Sequence, residues 1–315
     1  MIERSTGSFV DLFDLLYAPL LGVRGSTFRR AFEVLEARQL PSYRIVETGT
    51  AHETNGYGLP REFSVQGNST LLFDAFTAVR GGAVWSVDVS EAHCAQARRW
   101  VSRRVNVVCS DSRAFLSRLE ELAPGATPVD CLYLDSFDID WKDPHPSALH
   151  HRQELRAALR HLAPGCVVFV DDTPGRKGKG GYLVEVMERL GAQVLFESYQ
   201  MGWVLPESPL PGLRWAPDDP EEAAAAARFD RPRRFRYVRV GLDERVLELL
   251  PSGAVGLGND RCEQRWMVER SPEGKMELLL AGEGQITCRL AGCGDGVWRG
   301  RWCIHERMPV ELAPL

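Results

Sequence analysis

The sequence predicts an α/β chain: a doubly wound, seven-stranded sheet followed by a small all-β domain. Three observations predict it. Five short apolar runs between residues 43 and 172, each ending at or shortly before an acid, alternate with amphipathic stretches. Two further runs, 193–197 and 201–205, are joined so tightly that they pair as a hairpin, which makes the last strand antiparallel. After residue 237 the chain changes to short runs separated by Pro-Ser-Gly, Ser-Pro-Glu-Gly and Gly-Asp-Gly, the pattern of a small sandwich or barrel.

A length of 315 residues favours two domains over one. The reading is an N-terminal helical cap (1–42), an α/β domain (43–205), a linker (206–236) and an all-β domain (237–315). Apolar residues at 44% and charged residues at 26% are ordinary for a globular chain. A net charge of −5 gives no general pull toward nucleic acid. The eight cysteines form no Cys-x-x-Cys pair, which argues against zinc and for a reduced, cytoplasmic protein with structural thiols. The apolar run Phe9 to Val23 is broken by Asp11, Asp14 and Pro19, so no secretory or membrane segment is expected.

In chain order, Phe9, Leu12, Phe13 and Leu16 recur at helical spacing, and Phe28 to Leu40 carries a second amphipathic pattern. These helices cap the sheet or form a lid over a pocket. The first strand, Arg44–Glu47, runs into the turn Glu47-Thr-Gly-Thr50. Glycine there lets backbone approach a ligand closely. A segment with Gly56, Gly58 and Pro60 separates this turn from a helix that starts near Gly67-Asn-Ser-Thr70, where Ser69 or Thr70 is placed to cap the free amides. Such a helix start suits a carboxylate or a phosphate. The second strand, Val84–Asp88, ends in an acid able to accept hydrogen bonds from ribose hydroxyls. The third, Val105–Val108, leads to Asp111-Ser112. Asp111 either meets an adenine amino group or caps the next helix.

Strand four, Asp130–Leu134, ends at Asp135, with Asp138 three residues on. A helix carrying Leu155, Leu159 and Leu162 follows, then a turn at Ala163-Pro-Gly165. Strand five, Cys166–Val170, ends at Asp171-Asp172. As neighbours, these two strands bring Asp135 and Asp171 to roughly 5 Å of each other. Three carboxylates converging in a pocket repel one another and call for a cation, and all-oxygen ligation suits a hard ion such as Mg²⁺. The alternatives are that Asp172 caps a helix, or that Asp135 binds substrate without metal.

The Glu-x-Gly-x turn, the acid ending strand two, the Asp-Ser after strand three and the terminal hairpin resemble the class I S-adenosylmethionine-dependent methyltransferases over roughly residues 40–205. That resemblance implies a Rossmann-like sheet that binds S-adenosylmethionine through Glu47, Gly49, Ser69, Thr70, Asp88, Asp111, Ser112 and Asp135. Within the class, Asp135 with Asp171 and Asp172 is similar to the metal site of Mg²⁺-dependent small-molecule O-methyltransferases, of the catechol type and of the macrolide or aminocoumarin sugar type. The sequence departs from them in its Glu-Thr-Gly-Thr motif and its long insertion. Asp138 also stands where catechol-type relatives carry a lysine. Asp138 is therefore a candidate base, with His145, His150 and His151 as rivals.

Arg176, Lys177 and Lys179 lie on a glycine loop that either closes over substrate or is simply solvated. The prolines at 206, 209, 211, 217 and 220 mark the linker, and Asp219 to Ala227 reads as a short helix. The arginine run from 228 to 239, with Phe229, Phe235 and Tyr237, has the residue types of a single-strand nucleic-acid binder, but the acidic chain favours an inter-domain surface. In the β-domain, Trp266, Trp298 and Trp302 are expected in the core. Two function classes follow. One is a Mg²⁺-assisted O-methyltransferase acting on a hydroxylated small molecule, a sugar or natural-product intermediate. The other is a non-catalytic binding or regulatory protein on the same fold whose β-domain binds a glycan or a protein partner. In either class the β-domain is as readily a packing domain or one that pairs the chain into a homo-oligomer. A metal-dependent hydroxylase is a weaker third, because the carboxylate set lacks the histidines that such iron sites favour.

Overall fold

A computed structural model of the chain describes residues 7–52, 68–208, 215, 217, 219–304 and 308–315. Most of the glycine-containing insertion, and the prolines at 209 and 211, lie outside the described residues.

The first sheet contains β1 (Tyr43–Thr48), β2 (Gly82–Asp88), β3 (Val105–Cys109), β4 (Val129–Leu134), β5 (Leu162–Val170), β6 (Gln193–Glu197) and β7 (Met201–Val204). Its order is β3-β2-β1-β4-β5-β7-β6, with β7 antiparallel to both neighbours. The chain order reverses between β1 and β4, and open α/β sheets bind ligands at such a point. The helices that cover it are α1 (Phe9–Leu16), α2 (Gly25–Ala37), α3 (Ser69–Arg80), α4 (Glu91–Trp100), α5 (Ser112–Ser117), α6 (Leu119–Leu122), α7 (His145–Ala158) and α8 (Val184–Arg189). They lie on both faces, which is why β4 reads as one unbroken buried run rather than an alternating one. The N-terminal helices cap the sheet: Phe28 of α2 packs 5.5 Å from Tyr133 and 5.4 Å from Phe169, ring centre to ring centre. On the opposite face Val46, Leu132 and Val168 meet Leu155 and Val186.

A short helix, α9 (Pro220–Ala226), leads to a second, wholly antiparallel sheet. Its strands are β8 (Arg233–Arg239), β9 (Asp243–Leu249), β10 (Arg265–Arg270), β11 (Met276–Gly282), β12 (Gln285–Gly292), β13 (Trp298–Trp302) and β14 (Pro309–Pro314), ordered β10-β11-β12-β13-β14-β8-β9. The segment after β9 hydrogen-bonds to both edges: Glu248 N–H donates to Leu257 O at 2.9 Å, and Trp266 N–H donates to Gly253 O at 2.8 Å. The sheet thereby curls around a core of Trp266, Trp302, Tyr237, Leu247, Leu278 and Leu290, with Trp298 packed against it.

Three elements differ from expectation. Leu162 starts β5 rather than ending the preceding helix. The later part of the arginine run, read as linker up to 236, is strand β8: Phe235 and Tyr237 face inward while Arg234 and Arg236 pair with Glu248 and Glu244 outside. The final strand, β14, was not anticipated. It closes the sheet by pairing with both β13 and β8.

The second sheet presents its other face to the first domain. Leu279, Ala281 and Ile286 pack on Ala148 and Tyr182. Around them runs an ion-pair network. Arg152 is 1% exposed, donates from Nε to Glu269 at 3.0 Å, and also reaches Glu185 at 3.4 Å. Arg289 meets Glu185 at 2.6 Å, and Arg189 meets Glu277 at 2.8 Å. In α9, Glu222 accepts from Arg156 at 2.8 Å and from the Arg270 amide at 2.6 Å.

Candidate functional site

The parallel ladder places the acids. Its hydrogen bonds continue past the strand ends: Gly49 N–H to Val87 O at 2.8 Å, Asp135 N–H to Thr48 O at 3.0 Å, Asp171 N–H to Leu134 O at 3.2 Å. Asp135 and Asp171 therefore leave neighbouring strands in step. Gly49 has φ +84°, and a Cβ there would fall 2.5 Å from the Asp135 carbonyl oxygen. Only glycine allows the first turn to sit so close to the fourth strand.

Asp135, Asp171 and Asp172 form one cluster, with an oxygen from each within 4.8 Å of the others. Two cations already face it. Lys179 Nζ lies 2.6 Å from Asp135 and 3.2 Å from Asp172, and its side chain is 3% exposed. Arg24, from the turn before α2, donates from Nε to both oxygens of Asp171 at 3.0 and 2.9 Å. Tyr199 donates to Asp172 at 2.5 Å. Asp172 has φ +44°, a conformation unusual outside glycine. Burial, with Asp171 and Asp172 alongside, pushes the Asp135 carboxyl up to about 7 against the pull of Lys179. Burial opposes the Lys179 charge, but Asp135 and Asp172 outweigh it and hold the ammonium above its ordinary range.

The cluster forms one end of a cavity of about 690 Å³ that also touches Gly49, Thr50, Ser69, Asp88, Asp138, Ile139 and Trp141. A second cavity of about 230 Å³, lined by Asp111, Ser112, Phe137 and His150, shares Gly49, Asp88, Val89 and Ser136 with the first. Together they make a groove across the tips of β3, β2, β1, β4 and β5. Asp88 sits midway: Oδ1 accepts from the Ser90 amide at 2.7 Å and Oδ2 from the Thr50 amide at 3.3 Å.

Other expected residues lie differently. Glu47 is fully buried beneath the turn rather than lining the groove. Its Oε1 accepts from Ser86 at 2.8 Å and from Thr70, while Oε2 has no partner among the described residues, and burial pushes the carboxyl up to about 7. Ser69 and Thr70 are not caps. The helix begins after Asn68, and the Thr70 hydroxyl instead joins Glu47 to the Ala51 amide at 2.9 Å. Asp111 caps α5 through the Ala114 amide at 3.0 Å and pairs with Arg113 at 3.0 Å, so its carboxylate is engaged by the chain itself. Ser112 lies 3.2 Å from His150.

The histidines divide by position. His145 turns away from the carboxylates, 2.7 Å from the Tyr182 hydroxyl at the domain interface. His150 sits at the Asp111 end of the groove, with Nε2 3.3 Å from Glu154. His151 is buried with Nδ1 2.7 Å from the Ser147 carbonyl. Asp138 lines the same cavity as the cluster. Sequence reasoning passed over Arg24, Tyr199 and Glu154. Glu154 is a buried carboxylate that accepts from Ser136 at 2.6 Å and Thr48 at 3.2 Å, joining α7 to the tips of β1 and β4.

A pH dependence follows from this layer. Burial lowers His151 to about 4, so the unfolded chain takes up a proton near pH 6.5 that the folded chain refuses until about pH 4. Stability contributed by the neutral ring is present above pH 6.5 and lost as pH falls toward 4, by about 3 kcal/mol. Burial works to raise Glu154, but His150 and His151 outweigh it and hold it at about 2, so its contribution is lost only at lower pH. Glu47 and Asp135, both raised to about 7, act in the opposite direction between about pH 7 and their ordinary values near 4. The test is therefore a difference. The urea midpoint of wild type should fall relative to that of His151→Gln between pH 6.5 and 4, and parallel curves would contradict the assignment.

Residues 64–173 match a family model described as a methyltransferase domain. No curated protein matches. Among solved structures, the chain is similar to the MycE methyltransferase of the mycinamycin biosynthetic pathway in complex with Mg and SAH. The identity is 16%, with coverage of 67% of this chain and 58% of that one and a TM-score of 0.45. The chain thus spans less than two thirds of the MycE length. It is also similar to an O-methyltransferase from Bacillus cereus in complex with SAH (19% identity, 64% and 93% of the two chains, TM-score 0.36) and to a putative O-methyltransferase from Klebsiella pneumoniae (16%, 64% and 91%, 0.37). None of the described helices is long and apolar enough to cross a membrane. With its seven-stranded sheet, its acid-lined groove at the strand tips and the match of residues 64–173 to a methyltransferase-domain model, the chain is similar to the class I S-adenosylmethionine-dependent methyltransferases.

Proposed function

We propose that the chain is an O-methyltransferase that uses S-adenosylmethionine and a divalent cation, probed most simply as Mg²⁺, to methylate a hydroxylated small molecule such as a sugar or a natural-product intermediate. One observation carries this reading: three carboxylates converge in the same cavity as Gly49 and Asp88.

The residues fit both groups. The cluster offers only oxygen donors, at a mutual spacing that a single hard cation spans. Arg24 and Lys179 leave the three carboxylates one charge short of balance when all are ionised. On the cofactor side, Asp88 presents an acceptor where a ribose hydroxyl donor suits it, and the Gly49 turn lines the same cavity. Phe137 and His150, with rings 5.2 Å apart, flank the smaller cavity as aromatic surface for a purine. When bound, the sulfonium supplies an electrophilic methyl group, and the divalent ion lowers the pKa of an acceptor hydroxyl and orients its oxygen. The chain itself holds the carboxylates in step, screens them with Arg24 and Lys179, and presents Asp138 as the group we place as proton acceptor. Trp141, 53% exposed beside Asp138, offers an apolar wall to the acceptor. All eight cysteines are free, which supports a cytoplasmic setting.

The test is transfer of labelled methyl from S-adenosylmethionine to a panel of vicinal diols, both glycosides and catechols, with Mg²⁺ and then with EDTA. Labelled ether that EDTA reduces at least tenfold is the expected result; transfer indifferent to EDTA removes the metal from the reading. Asp88→Ala should weaken S-adenosylmethionine binding by about 10- to 100-fold, the range of a lost hydrogen bond to a charged group. Calorimetry checks this, and an unchanged affinity would place the ribose elsewhere.

A further inference from the structure

The loop that carries Lys179 into the acidic cluster is held from outside its own domain. The β11–β12 hairpin turns at Glu283-Gly284, both at positive φ (+50° and +75°), as a two-residue turn of this kind requires. Its tip lies against the loop. A Cβ on Gly284 would fall 2.9 Å from the Gly178 nitrogen and 2.9 Å from Pro144 Cγ, and a Cβ on Gly181 would collide with the Gly284 carbonyl oxygen. Glu283 accepts from Lys177 and from Arg261, while its own amide donates to Gln264 Oε1 at 3.0 Å. The hairpin therefore grips residues 177, 178 and 181, on both sides of Lys179. Between them the loop is fixed by the Lys179 amide to Asp172 O at 3.1 Å and the Gly180 amide to Thr173 Oγ1 at 2.9 Å.

We infer that the hairpin tip of the C-terminal sheet is a positioning element for the candidate active site: Glu283 and Gly284 hold the 175–181 loop so that the Lys179 ammonium sits between Asp135 and Asp172. The β-domain on this account sets the charge of the cluster. Lys179 is buried and its neighbours are glycines, which offer no side-chain packing of their own to hold the loop in place. The contacts that fix it come from its own domain through Asp172 and Thr173, and from the second sheet through Glu283 and Gly284. A shift of about 1 Å in a catalytic constellation is enough to change its behaviour strongly.

The metal arm of the test rests on the cation reading of the cluster; the exchange arm does not. Hydrogen–deuterium exchange would be followed at the Lys179, Gly180 and Gly181 amides in the full chain, in wild type, Gly284→Ala and the milder Glu283→Gln. At least tenfold faster exchange there, with strands β4 and β5 as protected as in wild type, is the expected result. Mg²⁺ would then be titrated by calorimetry into wild type, Lys179→Ala, Glu283→Gln and the double variant. Removing the ammonium should raise Mg²⁺ affinity roughly tenfold. Glu283→Gln should raise it in the same direction, and should add nothing on the Lys179→Ala background. Unchanged loop exchange in both hairpin variants would overturn the inference, as would an equal effect of Glu283→Gln with and without Lys179. If neither wild type nor Lys179→Ala takes up Mg²⁺, the cation reading fails and the exchange result alone decides the role of the hairpin.

Discussion

Asp171→Asn should leave S-adenosylmethionine affinity within about threefold of wild type while cutting methyl transfer by about 10³-fold, several kcal/mol of lost stabilisation. The substitution keeps the size of the side chain and removes one of the three converging charges. Asp171 lies at the tip of β5, whereas Asp88 and the cavity between Phe137 and His150 lie toward β2 and β3, so the cofactor end is not disturbed. Mg²⁺ uptake should disappear in the same variant. The change also leaves Arg24 without the carboxylate it grips at 2.9 Å. Thermal melting must therefore accompany the assay, with wild-type melting as the condition for reading the activity. A loss of cofactor affinity equal to the loss of turnover would show that Asp171 acts on the fold of the groove rather than on the acceptor end.

Arg152→Ala is expected to lower stability by about 3–5 kcal/mol, the usual consequence of stranding a buried charge. Arg152 is 1% exposed, and its partners Glu269 and Glu185 are themselves largely buried at the junction of the two sheets. Removing the guanidinium leaves both carboxylates without that partner; Arg189 and Arg289 remain beside Glu185 alone. Replacing Arg152 by methionine together with Glu269→Leu should restore much of the loss, because a buried ion pair exchanged for apolar bulk is often neutral, and Glu185 keeps Arg189 and Arg289. Urea denaturation checks both variants. A loss below about 1 kcal/mol for Arg152→Ala would mean that the Arg152 pairs add little to an interface held by the apolar contacts of Leu279, Ala281 and Ile286 and by the remaining ion pairs.

Most of the first sheet was legible because its strands are buried on both faces and end in acids, so Ile45, Val84, Leu132 and Val168 mark them without help from tertiary contacts. The meeting of Asp135 with Asp171 followed from strand adjacency. Strand β8 was missed: residues up to 236 read as linker because the arginines suggested a surface run, although Phe235 and Tyr237 alternate with them at strand period. The site was less complete. Arg24 reaches Asp171 across 147 positions of sequence, and no local pattern announces such a pairing. Lys179 was seen only as a loop charge, since what buries it is packing of Gly178 and Gly181 against a hairpin a hundred residues away. Glu154 was hidden in a helix whose register, rather than its composition, turns it toward Thr48 and Ser136. The capping roles given to Ser69 and Thr70 failed for the opposite reason: Glu47, unpaired in the sequence, takes the Thr70 hydroxyl once β1 and α3 pack.

The central claim is that one groove holds S-adenosylmethionine at the tips of β1 and β2 and a divalent cation at the tips of β4 and β5. Calorimetric titration of wild type with S-adenosylmethionine, first with Mg²⁺ and then with EDTA, tests it most directly when Asp88→Ala and Asp171→Asn are run beside it. The account predicts cofactor binding that Asp88→Ala weakens and Asp171→Asn spares, together with Mg²⁺ uptake that shows the reverse pattern. Absence of cofactor binding in wild type, or loss of both ligands in either variant alone, would contradict it.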